Sequence, residues 1–396
     1  MSEFTLTRQA RLAKLMEVSK LLLETGNAHT FIVENRDFID TVLPSDFIAL
    51  FDEVVKGGYP MDEIKVLVNK MLNIFHKPIA AFKRLEPEPD SFLGILEQNN
   101  QQMETLLNEI RPVFKAFVKE PGHPGLRSRL EGSFVRLEVF ASHYTIKENI
   151  LFPFLEQAWP DYRCLQIMWS FHDDIRRNIR SVISWLQEGS LEMKSFNRSV
   201  GDIFFQMLAI RFREERILFP EILATLDATL LEKMNREAYA LGYPYVKPSL
   251  GADSPQRLEA TEGWVDLGTG KVTPEQIMLI FNHLPVDLTF VDEHNKVCYF
   301  SAPKKRIFPR TVAIIGRQVN NCHPPESVHV VEQIVESFRN GEKEYADFRI
   351  RMRGEYILIR YFAVRDGQGR YKGVLEVSQE ISEIQALEGE KRLLDW

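Results

Sequence analysis

The sequence predicts a multidomain chain that is all-α to about residue 238 and α+β from Pro274 onward. Three observations predict it. Apolar residues recur at helical spacing in the N-terminal part, as at Ile64, Leu67, Val68, Met71, Leu72 and Phe75. The stretch "LGYPYVKPSLGADSPQRLEATEGWVDLGTG" then has many Pro and Gly and no period, so it breaks the helical pattern. Beyond it, "DLTFVDEHNKVCYFS" alternates about a polar centre, and "YADFRIRM", "EYILIRYFAV" and "YKGVLEVSQ" follow with turn residues between them.

Residues 1–88 read as an N-terminal helical domain. Gly57 and Gly58 end one helix, Pro60 opens the next with Asp62 and Glu63 in its first turn, and "EPEPD" closes the segment. Residues 91–238 hold four amphipathic stretches, 91–118, 127–157, 163–187 and 196–232, joined by short connections. Such a set packs as a four-helix bundle. Residues 239–273 read as a linker. Residues 274–380 read as an α+β domain with a five-stranded antiparallel sheet and a helix opened by Pro324 or Pro325 and ended at Gly341. Residues 381–396 return to helix, with Ile381, Ile384 and Leu387 on one edge.

Composition narrows the function. A net charge of −7 argues against nucleic acid as a partner, because neutralising phosphates needs clustered Lys and Arg. The one basic cluster, Lys304, Lys305, Arg306 and Arg310, sits beside prolines and reads as a solvated loop. Three scattered cysteines, Cys164, Cys298 and Cys322, suit a reducing cytoplasm. The N-terminal residues lack a signal-peptide core, and no apolar run approaches a membrane span, so the expected location is cytoplasmic with no membrane partner. No P-loop, G-x-S-x-G, H-E-x-x-H or kinase signature is present, which points away from an enzyme.

One feature stands out against this background. "KENILFP" at Lys147–Pro153 returns as "EERILFP" at Glu214–Pro220. Around both copies each helix aims a polar residue into an apolar stripe. His143 lies among Val139, Phe140, Ile146 and Ile150, and His172 among Met168, Trp169, Ile175 and Ile179. Glu214 is framed by Met207, Ile210, Ile217 and Leu218, and Asn100 by Leu96, Met103 and Leu107. Burying such groups is costly unless they bind one another or a ligand. Lys147, one turn after His143, also falls near the inner face.

"HYTIKENILFP", "IRFREERILFP" and "MWSFHDDIR" resemble segments of the hemerythrin-like HHE cation-binding bundle, whose His and carboxylate residues hold a di-iron centre that binds dioxygen. "GGYPMDEIKVLVNKMLNIFH" is similar to an uncharacterised helical domain found ahead of such bundles. "LPVDLTFVDEHNKVCYFS" with the following "KRIFPRTVAIIGRQVNNCHPPESVHVVE" looks like the PAS-type sensor domain that follows them. Carried over position by position, the resemblance leaves His143, His172 and Glu214 as metal ligands. Asn100 and Ile210 stand where histidines belong, and Lys147 where a carboxylate belongs. Glu104, Glu148 and Glu215 are nearby, but Glu148 falls about 140° round a regular helix from His143.

The expected cofactor is therefore one ion, iron or another transition metal. Haem between the two inward histidines and a metal-free core are the alternatives. In the metal-free core Lys147 and Glu214 pair, and His143, His172 and Asn100 complete a polar network. His76, at the edge of a stripe, reads as a packed side chain. In the PAS-like domain, Cys322 and His323 precede a helix N-terminus and are the cofactor-binding candidates; capping and packing are the plainer roles. The expected function is a cytosolic sensor that takes a small ligand or gas and signals to an unidentified protein partner. An iron protein acting on oxygen or nitrogen species and a metal-free adaptor are the rivals. PAS-type domains dimerise through flanking helices, so the resemblance also implies a homodimer using the C-terminal tail.

Overall fold

The computed structural model describes residues 7–159, 163–189, 191–248 and 263–390. The chain divides into two compact units, Met1–Gly251 and Ala252–Trp396.

The first unit is helical. Helices α1 (Arg8–Thr25), α2 (His29–Glu34), α3 (Arg36–Ile39), α4 (Pro44–Lys56) and α5 (Met61–Ala81) form its N-terminal part. Their ends follow the expected chemistry: Thr7 caps α1, Gly57 ends α4 and Pro60 precedes α5. Phe47 and Phe38 each meet Phe75 ring-edge to face, and a buried Arg11–Asp46 pair at 2.6 Å ties α1 to α4.

The bundle begins with α6 (Phe92–Lys119), capped by Ser91. Its second member is not one helix. It runs as α7 (Pro124–Glu138), α8 (Ala141–Ile146), a π-helical turn over Lys147–Leu151, and α9 (Phe152–Ala158). The third is α10 (Leu165–Glu188), ended by Gly189 at φ 78°. The fourth runs as α11 (Met193–Arg213), a second π turn over Glu214–Leu218, and α12 (Phe219–Thr225). A further helix, α13 (Ala228–Leu241), follows.

The two π turns are the duplicated motif. In each copy the amide after the turn donates five residues back, Phe152 to the Lys147 carbonyl and Phe219 to the Glu214 carbonyl. Proline explains the widening. Pro153 and Pro220 have no amide proton, and their rings crowd the carbonyls four residues earlier, Asn149 and Arg216. A turn closed over five residues relieves that crowding.

Part of the expected linker belongs to the bundle. The Asn99 side chain accepts from the amides of Tyr245 and Val246 at 3.0 Å and donates to the Val246 carbonyl at 2.9 Å. Proline and glycine concealed this strap, because it is held by side-chain bonds and has no repeat of its own.

The second unit opens with a short hairpin, β1 (Val265–Asp266) and β2 (Lys271–Val272), also within the expected linker, and α14 (Pro274–His283). The antiparallel sheet has the order β4 (Val297–Phe300), β3 (Asp287–Asp292), β7 (Tyr371–Glu380), β6 (Glu355–Arg365), β5 (Tyr345–Met352). Helix α15 (Pro325–Arg339) lies between β4 and β5 in the chain. Gly373, at φ 137°, is required: a Cβ there would meet the Val291 carbonyl oxygen at 2.0 Å, so only glycine lets β7 approach β3. The expected tail helix is reduced to α16 (Ser382–Gln385) among the described residues, and Leu393, Leu394 and Trp396 lie outside them.

Candidate functional site

The bundle core holds His143, Lys147, His172 and Glu214 with no solvent exposure, and Asn100 and Glu148 nearly so. Lys147 donates directly to Glu214 Oε1. Asn100 Nδ2 donates to Glu214 Oε2 at 3.0 Å and to Glu215 Oε1 at 3.3 Å. His143 Nε2 lies 3.8 Å from Glu214 Oε2, beyond hydrogen-bond reach, and its ring stacks on Phe140 at 4.5 Å. The Lys147 ammonium also sits 4.7 Å above the Tyr144 ring.

His172 does not join Glu214. Its Nδ1 bonds Glu148 Oε1 at 2.9 Å, and Arg176 donates to the other Glu148 oxygen at 2.7 Å. This corrects the expectation that Glu148 turns away from His143. A π turn rotates less per residue than an α turn, so both Lys147 and Glu148 face the core. The expected ligand set is thus split into two groups, Lys147–Glu214–Asn100 and Glu148–His172–Arg176. Tyr144 stacks on the His172 ring at 4.3 Å, between the two.

The electrostatics follow from burial and the two internal cations. Burial pushes the Glu214 carboxyl up, but Lys147 and then His143 outweigh it and hold the group well below the usual carboxylate range. Burial pulls the Lys147 ammonium down, against the attraction of Glu214. The direct contact with Glu214 favours the charged form of Lys147 against that burial. Burial, then Lys147, lowers His143 to about 4, and burial with Lys147 and Arg176 lowers His172 well below 6.5. Both imidazoles are therefore neutral at pH 7. Bonded to a carboxylate, His172 carries its proton on Nδ1, which leaves Nε2 as a lone pair without a partner. Both His143 nitrogens also lack a hydrogen-bond partner.

These residues do not fit a dinuclear metal centre. A cation-repelling ammonium occupies the middle of the donors, Asn100 and Ile210 replace two imidazoles, and Glu148 is committed to His172 and Arg176. Among the described residues no three His, Cys, Asp or Glu side chains converge at a spacing able to hold a metal ion.

Sequence reasoning set Glu148 aside as a nearby carboxylate turned from His143, and it missed Arg176, Tyr144 and Arg213. Arg176 lies one turn after His172, and Arg213 lies between Ile210 and Ile217 at helical spacing, so the same stripe arithmetic finds both. His76 is exposed on α5, and its ring stacks on Phe212 at 4.5 Å.

In the second unit, His323 lines a cavity of about 30 Å³ with Val291, Val319, Ile334, Tyr361 and Glu376. Burial, with Arg310 and Arg317, lowers His323 to about 4. Cys322 ends a 3₁₀ turn (Val319–Cys322), donates to the Gln318 carbonyl at 3.6 Å and packs against the cluster of Val291, Val297, Ile314 and Val319. Arg306 corrects the solvated-loop reading of its cluster: it is mostly buried, 3.8 Å from Asp287, and donates to Thr289 Oγ1 at 3.0 Å. No helix among the described residues is long and apolar enough to cross a membrane.

Comparison with known proteins agrees with both domains. Residues 91–222 match the family model of the hemerythrin HHE cation binding domain, and residues 277–382 match that of the PAS domain. A C-terminal domain from Streptococcus mutans shares 33% identity over 32% of this chain and 98% of that one, with a TM-score of 0.31. The PAS domain of Bordetella pertussis BvgS shares 15% identity over 28% of this chain and 88% of that one, with a TM-score of 0.24. No curated protein matches the chain. The chain thus carries a hemerythrin HHE cation-binding domain at residues 91–222 and a PAS domain at residues 277–382.

Proposed function

We propose that the protein is a cytoplasmic sensor in which the PAS domain receives the signal and the hemerythrin-type bundle is an ion-paired scaffold. The pairing of these two domain types supports a sensor or signalling role. The observation that carries the finer reading is the Lys147–Glu214 contact, which places a side-chain ammonium among the donors of a metal-binding fold. The PAS cavity beside His323 is the ligand site in this reading, sized for a small molecule or gas. The unpartnered nitrogens of His143 and His172 favour a second reading, one transition-metal ion taken by His143, His172 and Glu214 once Lys147 leaves the carboxylate.

Metal analysis and an absorption spectrum of protein purified without oxygen separate the two. The scaffold reading expects substoichiometric metal and no visible band. One ion per chain establishes the single-ion reading, and two irons per chain would overturn both in favour of an iron protein acting on oxygen or nitrogen species. Ligand binding to the PAS domain is then followed by native mass spectrometry. Failure of any small molecule to bind, with partner proteins still captured, leaves the adaptor role.

A further inference from the structure

Helices α4 and α5 of the N-terminal part meet the start of α10 and the second π turn around a cavity of about 70 Å³. One water needs roughly 10–15 Å³ in the same measure, and protein interiors hold few voids larger than that. The walls include Phe51, Val68, Leu72, Met168 and Ile217, all of them buried.

Two other wall residues could bring polarity, and neither does. Arg213 holds its guanidinium 4.4 Å over the Phe171 ring and gives Nη2 to Asn69. Its Nε and Nη1 are buried with essentially no accessible surface, so they present no donor to the space. Burial pushes the Cys164 thiol up to about 12, so it stays uncharged at pH 7. An uncharged thiol packs as a small apolar group. The surface facing the cavity is therefore almost wholly apolar.

Such walls select by polarity and by size. A water there lacks the two to four polar partners it needs, and an ion or an alcohol would leave its hydrogen bonds behind. An apolar molecule gains burial and close contacts together. A cavity of roughly 150 Å³ takes benzene, so half that volume suits a molecule of about three carbons. A diatomic gas would touch only part of the walls and be held less firmly.

We propose that this cavity is a binding site for a small neutral hydrocarbon or a molecule of the same size and polarity. The site is separate from the PAS cavity and depends on no metal. Its occupant touches α4, α5, α10 and Ile217 of the second π turn at once, and so ties the N-terminal helices to the bundle.

The test is NMR of the full-length chain labelled with carbon-13 at its methionine methyls, titrated with cyclopropane and with methanol. Met168 belongs to the wall, and Met103 and Met234, buried elsewhere, are the references. We expect cyclopropane to shift the Met168 methyl saturably and to leave both references in place. Methanol, which must bury a hydroxyl, should bind at least about tenfold more weakly. Val68→Phe fills the space from α5 and should abolish the saturable shift. No saturable shift, equal shifts at all three methyls, an equal response to methanol, or an unchanged response in Val68→Phe would overturn the proposal. If that variant does not fold, the comparison of cyclopropane with methanol on the unaltered chain decides alone.

Discussion

Lys147 and Glu214 are the first residues of the two π turns, and they bind each other. The duplicated motif therefore meets itself at its own first position, with opposite charges 67 residues apart in sequence. Removing one partner strands the other. Lys147→Met leaves a carboxylate with only Asn100 as donor and should cost about 3–5 kcal/mol. Lys147→Met with Glu214→Gln should recover more than half of that loss, because a neutral amide still accepts from Asn100. Urea unfolding of the parent, both single variants and the double variant measures the coupling. An absence of coupling would show that the two charges do not depend on each other.

The π turns make a second prediction. Pro153→Ala supplies an amide proton at position 153 and removes the ring that crowds the Asn149 carbonyl, which favours a regular α turn. Regular winding turns Glu148 away from the core and breaks its bond to His172. The expected cost is about 1–3 kcal/mol, the penalty for an unmatched buried polar group. Nitrogen-15 NMR of the His172 ring should show loss of the fixed Nδ1–H tautomer. A retained tautomer in Pro153→Ala would mean that proline does not set the turn.

These residues also show how far the sequence could be read. Helix identities, the five strands and the inward set His143, His172, Glu214 and Asn100 follow from spacing alone, because burial periodicity needs no distant partner. Glu148 does not follow, because its position depends on a turn type that constant 3.6-residue winding cannot represent. The Asn99 strap over Tyr245 and Val246 was hidden for another reason. It joins residues about 146 apart by side-chain bonds, which leave no local pattern.

The PAS domain should respond to acid through His323. Its folded value, about 4, lies below the usual 6.5, so the unfolded chain binds more protons between those two values. Stability is therefore full above pH 6.5 and falls as the pH drops toward 4, by roughly 2–3 kcal/mol. Arg310 and Arg317 add to the shift, and Glu376 lines the same cavity. Hydrogen exchange of the β3 and β7 amides, corrected for intrinsic pH dependence, should show the loss. His323→Gln should flatten that slope, and an unchanged slope would assign it to another group.

The C-terminal tail gives the last prediction. Ile384 and Leu387 are 50% and 76% exposed, and α14 buries none of its residues although it carries Ile277, Leu279 and Ile280. Apolar side chains on the segments that flank the sheet in sequence gain burial only against another surface, and a second copy supplies the same surface at no cost in sequence. We therefore expect a homodimer. Deleting the tail from Glu380 onward is a poor test, because Glu380 pairs with Ile357 and its carboxylate accepts from the Ser382 amide at 2.7 Å. Ile384→Ser combined with Leu387→Ser leaves the sheet intact. Light scattering at tens of micromolar should show a dimer for the parent chain and a shift toward monomer for the double variant. A parent that is already monomeric defeats the dimer, while a dimer indifferent to both substitutions places its interface elsewhere.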